Sequence, residues 1–134
     1  MTGGRILVAE DNAMIGMLIQ SDLEQAGFDV LGPFPRMAPA LEAARTRGCA
    51  LALVDIDLAG GDSGVSLAGA LSGQLGVPCL FVTGQAIDAA RGAEHALGVL
   101  SKPVPSEVMV QSVHAALRVA KGHPPPEISA VRWF

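Results

Sequence analysis

The sequence predicts an α/β domain built as a doubly wound, five-stranded parallel sheet with helices on both faces. Two observations carry this. Short, continuously apolar runs alternate with segments of helical periodicity from Arg5 to Lys121, which is the pattern of successive βαβ units. Hydrophobic residues make up 50% of the 134 residues and charged residues 16%. That is enough apolar material for one core, in a chain too short for two separately cored domains.

The elements follow in order. Arg5 to Glu10 reads as a buried strand, apolar until it stops at charge. Asn12 is placed to cap a helix in which Ile15, Leu18, Ile19, Leu23 and Ala26 recur at helical spacing, with Gly27 at its C′ position. Asp29 to Phe34 is a second strand, ended by Pro33 and Pro35, and Pro39 to Arg47 a second helix, closed by Gly48. Leu51 to Asp55 is the third strand. A glycine-rich loop, Ala59-Gly60-Gly61, leads into a helix from Ser63 to Leu75. Pro78 to Thr83 is the fourth strand. Gly84 to Leu97 holds Gly92 and few large apolar residues, so a short or mobile helix is expected. Gly98 to Ser101 is a brief fifth strand. Ser106 is expected to cap the last helix, with Glu107 in the first turn where the helix dipole favours an acid. Met109, Val113, Ala116 and Ala120 form its apolar face, and Lys121-Gly122 ends it.

Several function classes are excluded by composition. The mean hydropathy is +0.42, yet the longest apolar stretch runs only from Cys49 to Val54, whereas a membrane span needs roughly 18 such residues. The N-terminus lacks the pattern of a signal peptide. Nine basic residues against 13 acidic ones, for a net charge of -4, argue against nucleic acid as a partner. Cys49 and Cys79 have no CxxC spacing and read as reduced thiols of a cytoplasmic protein. Gly61-Asp62-Ser63-Gly64 resembles a serine-protease nucleophile loop, but no matching His and Asp order accompanies it.

In a doubly wound sheet, function gathers at the carboxyl ends of the strands. Here those ends carry Glu10-Asp11 on the first strand, Asp55 with Asp57 on the third, Thr83 on the fourth and Lys102-Pro103 after the fifth. Two unit charges about 4 Å apart repel by roughly 4 kcal/mol at an effective dielectric near 20. Carboxylates gathered on one rim therefore call for a proton or a cation among them. An all-oxygen donor set suits Mg²⁺, and none of His95, His114 or His123 falls at a strand end to serve zinc. An aspartate can act as a nucleophile on phosphorus, with a lysine and a hydroxyl meeting the charge on the phosphoryl oxygens.

These residues, from Arg5 to Lys121, resemble the receiver domain of two-component response regulators. The resemblance implies a flavodoxin-like fold with strand order 2-1-3-4-5. It assigns Asp55 as phosphoacceptor, Thr83 and Lys102 as its catalytic partners, and Glu10, Asp11, Asp55 and the backbone carbonyl of Asp57 as Mg²⁺ ligands. It also implies a cis bond at Lys102-Pro103. The phosphoryl donor would be a histidine kinase or phosphotransfer protein. Such a chain catalyses its own phosphorylation and dephosphorylation rather than a conventional turnover.

Three features depart from the family pattern. Val99 stands where an aromatic switch residue is common. Asp57 and Gln85 occupy the positions that tune phosphate lifetime. No effector domain follows, so a stand-alone regulator is expected, with a receiver at 1–121, an extension at 122–134, and output by protein contact, phosphorelay or homodimer formation. In that extension, His123 to Pro126 reads as stiff and extended, and Ile128, Val131, Trp133 and Phe134 form either a frayed end or a docking segment. Two other readings stand beside this one. Asp55-Ile56-Asp57 has the DxD spacing of haloacid-dehalogenase-type phosphatases, although there the acidic pair comes late in the chain. A degenerate receiver that acts only as a binding module is the other.

Overall fold

A computed structural model describes residues 4–84 and 88–134. The strands are β1 (Arg5–Ala9), β2 (Asp29–Phe34), β3 (Leu51–Val54), β4 (Cys79–Thr83), β5 (Gly98–Ser101) and β6 (Val131–Trp133). The helices are α1 (Ala13–Gln25), α2 (Met37–Arg47), α3 (Gly64–Leu75) and α4 (Ser106–Ala120), with short 3₁₀ segments at Ala59–Gly61 and Asp88–His95. The sheet order is β2-β1-β3-β4-β5-β6. The first five strands are parallel, as expected, and β6 joins β5 antiparallel.

The period of two along each strand divides the core into two layers. In β1, Leu7 and Ala9 face one side, where Ala40 and Ala44 of α2 and Leu67 and Leu71 of α3 cover them. Ile6 and Val8 face the other, against Ile19 and Leu23 of α1 and Met109 and Val113 of α4. Strands buried on both sides read as continuous apolar runs, which is why β1, β3 and β4 stood out in the sequence.

The caps explain several boundaries. Asn12 Oδ1 accepts from the Ile15 N–H at 3.0 Å, as its position predicted. Ser63 caps α3 by accepting from Ser66 N–H. Helix α2 starts two residues earlier than expected, at Met37, with Pro39 in the first turn where its missing N–H costs nothing. Its cap comes from afar: Asp62 Oδ2 accepts from Met37 N–H at 2.9 Å. At α4 the N-cap position is Pro105, without a side-chain cap, and Ser106 is the first helical residue rather than the cap.

The expected apolar faces need trimming. Leu18 is 59% exposed, and Ala26 and Ala120 are exposed too. Ile15, Ile19 and Leu23 already fill the inward stripe of α1, which leaves Leu18 on its flank beside the exposed Met14 and Met17. Between β4 and β5, the described part of the weakly patterned stretch forms the short 3₁₀ segment Asp88–His95. Gln85 lies outside the described residues.

The C-terminal residues dock. Gly98 pairs with Trp133, Val99 with Arg132 and Leu100 with Val131, and the Trp133 indole donates to the Pro126 carbonyl at 2.8 Å. Val131 is buried in the same layer as Leu100 and Met109. No described helix is long and apolar enough to cross a membrane.

Candidate functional site

Three strand ends meet at one rim. Strand β1 lies between β2 and β3, with Ala9 opposite Val54, and the Asp55 N–H donates to the Ala9 carbonyl at 2.9 Å. The next residue on each strand is thus an acid beside an acid. One carboxylate oxygen from each of Glu10, Asp11 and Asp55 lies within 4.8 Å of the others. Glu10 is 3% exposed and Asp55 8%, whereas Asp11 faces solvent.

Lys102 reaches this group from β5. Its backbone N–H donates to the Thr83 carbonyl at 3.0 Å, which fixes the start of its side chain. Its Nζ lies 2.8 Å from Asp55 Oδ2 and 2.5 Å from Glu10 Oε1. The Lys102-Pro103 bond is cis, as the resemblance implied, and so is Gly32-Pro33. Thr83 ends β4 fully buried, with Ser101 beside it on β5. Asp57 is exposed, and its N–H donates to Asp55 Oδ1 at 3.3 Å. The structure therefore brings Glu10, Asp11, Asp55 and Lys102 into one cluster, with Thr83 and Asp57 at the ends of its neighbouring segments.

The electrostatics follow from crowding. Burial pushes the Glu10 carboxyl up to about 7. Bonds from Lys102 and from the Asn12 N–H, the latter 3.1 Å from Glu10 Oε2, oppose that rise, and the Asp55 carboxylate adds to it. Burial also works against charge on Lys102, but the hydrogen bonds and charges of Asp55 and Glu10 outweigh it and raise its pKa. The ammonium therefore stays charged where it is needed to offset two buried acids.

The donor chemistry fits Mg²⁺. Three carboxylates offer hard oxygens, one of them open to water, and no His or Cys joins them among the described residues.

Two supports of the site were not anticipated. Gly64 packs so tightly that a Cβ there would sit 1.7 Å from the Asp55 carbonyl oxygen, and its N–H donates to the Ile56 carbonyl. Asp62 ties the loop carrying Asp57 to α2 through Met37 N–H and the Arg36 guanidinium. The only trace of either in the sequence was the Ser63-Gly64 helix start.

A family profile, the response regulator receiver domain, matches residues 6–114. The chain belongs to this family. Among solved structures, this receiver domain resembles the signal receiver domain of a modulated diguanylate cyclase from Desulfovibrio desulfuricans G20. The TM-score is 0.79 at 30% identity, covering 88% of this chain and 96% of that one. It also resembles NtrX from Brucella abortus in complex with ADP, with a TM-score of 0.82 at 25% identity over 90% of this chain. The chain spans only 28% of that protein. The response regulator PhyR from Brucella abortus shares the fold, with a TM-score of 0.79 at 23% identity, over 89% of this chain and 49% of that one. No curated protein matches the chain significantly. In this receiver domain Val99 on β5 is 1% exposed and packed into the α2–α3 side of the core.

Proposed function

We propose that this receiver domain accepts a phosphoryl group on Asp55 from a histidine kinase or phosphotransfer protein, with Mg²⁺ held by Glu10, Asp11, Asp55 and the Asp57 carbonyl. The observation that carries this reading is the Lys102 ammonium bridging Asp55 and Glu10 beside three convergent carboxylates. A structural ion pair needs one acid; this lysine is shared by two, at the rim where the sheet presents ligands.

In the proposed step, an Asp55 carboxylate oxygen attacks phosphorus and forms an acyl phosphate. The phosphorus–nitrogen bond of the donor phosphohistidine breaks, and the imidazole leaves with the bonding pair and takes up a proton. Lys102 meets the charge that develops on the phosphoryl oxygens, and the Thr83 hydroxyl donates to one of them. Bound Mg²⁺ supplies further positive charge against those oxygens. The acyl phosphate carries about two negative charges where the carboxylate carried one, so the rim gains roughly one, and output follows through contact with a target protein, a second copy, or phosphate relay. Residues 1–121 are read as the receiver and 122–134 as an extension attached to it. A cytoplasmic location accords with the two free thiols, Cys49 and Cys79.

Incubation with Mg²⁺ and a small acyl phosphate, followed by intact mass, tests the reading. One phosphoryl adduct is expected, lost in Asp55→Ala. Continuous turnover of the donor without an adduct indicates a phosphatase, and absence of both indicates a binding module. Either result overturns the proposal.

A further inference from the structure

We propose that the C-terminal strand β6 is a positioning element for Lys102, so that tail docking and phosphoryl transfer are coupled; this rests on the acceptor reading above. Strand β5 has four residues and carries the site lysine directly after it. On its inner side β4 holds it, down to the bond from Lys102 N–H to the Thr83 carbonyl. Among the described residues, the strand that holds its outer side is β6 of the tail. Ser101 N–H donates to the Ala130 carbonyl at 3.3 Å, and Phe134 N–H donates to the Leu97 carbonyl at 2.9 Å, so the tail grips both ends of β5. Without β6, β5 would be a short edge strand with open hydrogen-bonding groups, and the residue before Lys102 would lose its outer anchor.

The seat is shaped for this strand. A Cβ at Gly98 would lie 2.6 Å from the Arg132 carbonyl oxygen, so the absence of a side chain there is what admits β6. Val131 is buried with Leu100, Val82 and Met109, and Ile128 and Trp133 pack at the margin of the same layer. The acids have no such dependence. Glu10 and Asp11 follow β1, and Asp55 follows β3, both flanked by strands on each side.

This separation gives the test a readout that general destabilisation would not produce. In the full chain, Gly98→Ala lifts β6 from the β5 side, and Val131→Asp expels it from the tail side. Trp133, the single tryptophan, reports release through its emission. With the tail released, the initial rate of phosphorylation by a small acyl phosphate is expected to fall on the order of tenfold, the scale of cost when a reacting group is slightly misplaced. Mg²⁺ affinity, read by calorimetry, is expected to stay unchanged. An undiminished rate with the tail released overturns the proposal, and so does a parallel loss of Mg²⁺ affinity. The proposed coupling also runs from the site to the tail through Ser101, which precedes Lys102 and bonds to Ala130, so in the unsubstituted chain Trp133 emission is expected to change as the adduct accumulates. Flat emission overturns the proposal even where both variants misfold. If the unsubstituted chain forms no adduct, it is the acceptor reading that fails.

Discussion

The acids of the site and its lysine are held in different ways. Glu10, Asp11 and Asp55 stand at the ends of β1 and β3, in the middle of the sheet, where every strand has a neighbour on each side and helices on both faces. Lys102 follows β5, which has β4 on one side and only three paired residues of the tail on the other. The centre fixes where the three carboxylates converge. On the proposed coupling, the edge would set how well the Lys102 ammonium is aimed at them. A fold that carries its charge-accepting group in the interior and its charge-compensating group near the margin can change the second without disturbing the first.

The difference in anchoring is sharpened first by stability. Leu53, 1% exposed in β3, contrasts with Val131, 9% exposed in β6. Leu53→Ala is expected to cost about 2–5 kcal/mol, and Val131→Ala about 1 kcal/mol, both measured by denaturant unfolding. Equal costs would show that the tail is as integral as the central strands and would break the contrast.

A smaller effect tests the acid cluster. Burial pushes Glu10 from 4.5 up to about 7, so stability falls as pH rises from the lower value through the higher, and the full cost of the charge is felt above it. Glu10→Gln removes the charge that burial disfavours while Lys102 keeps Asp55 as its partner, and is expected to raise stability at pH 8 without Mg²⁺ by about 1 kcal/mol. The same change weakens Mg²⁺ binding, because one hard anionic donor is lost. A substitution that stabilises the protein and weakens the metal together separates a cation site from an ordinary ion pair. A loss of stability with unchanged Mg²⁺ affinity would point to the ordinary pair.

The smallest effect concerns Asp57, exposed and bonded through its N–H to Asp55 Oδ1. Asp57→Asn keeps that bond and removes one negative charge beside the acceptor. The half-life of the phosphorylated form is expected to change a few-fold, consistent with a single screened charge nearby. An unchanged half-life would show that the Asp57 side chain has no part in the site.

The same division governs what could be read from the sequence. Strands β1, β3 and β4 announce themselves because burial on both faces makes them continuously apolar, and the acids stand out because they end those runs. Asn12 and Gly27 were legible because a cap is a local device: a side-chain oxygen or a positive φ within one turn of the helix end. The cap of α2 was not, since Asp62 reaches Met37 from 25 residues away. Periodicity placed Leu18 on the inward face of α1, but only the packing of Ile15, Ile19 and Leu23 decides which flank stays in water. The tail offered apolar residues without a register, because three paired residues are too few to show a period. That Gly98 is the seat for β6 depends on two segments meeting that are more than thirty positions apart. The convergence on Lys102 is intermediate: its place at a strand end was visible, and its sharing between Glu10 and Asp55 was not.

The central claim is that β1 and β3 together hold an acidic notch in which Asp55 takes a phosphoryl group in the presence of Mg²⁺. Tandem mass spectrometry of the chain after exposure to a small acyl phosphate, with and without Mg²⁺, tests it most directly. The account predicts one phosphoryl group, on Asp55 alone, formed only when Mg²⁺ is present. A phosphoryl group on another residue, or one that forms equally without Mg²⁺, would contradict it.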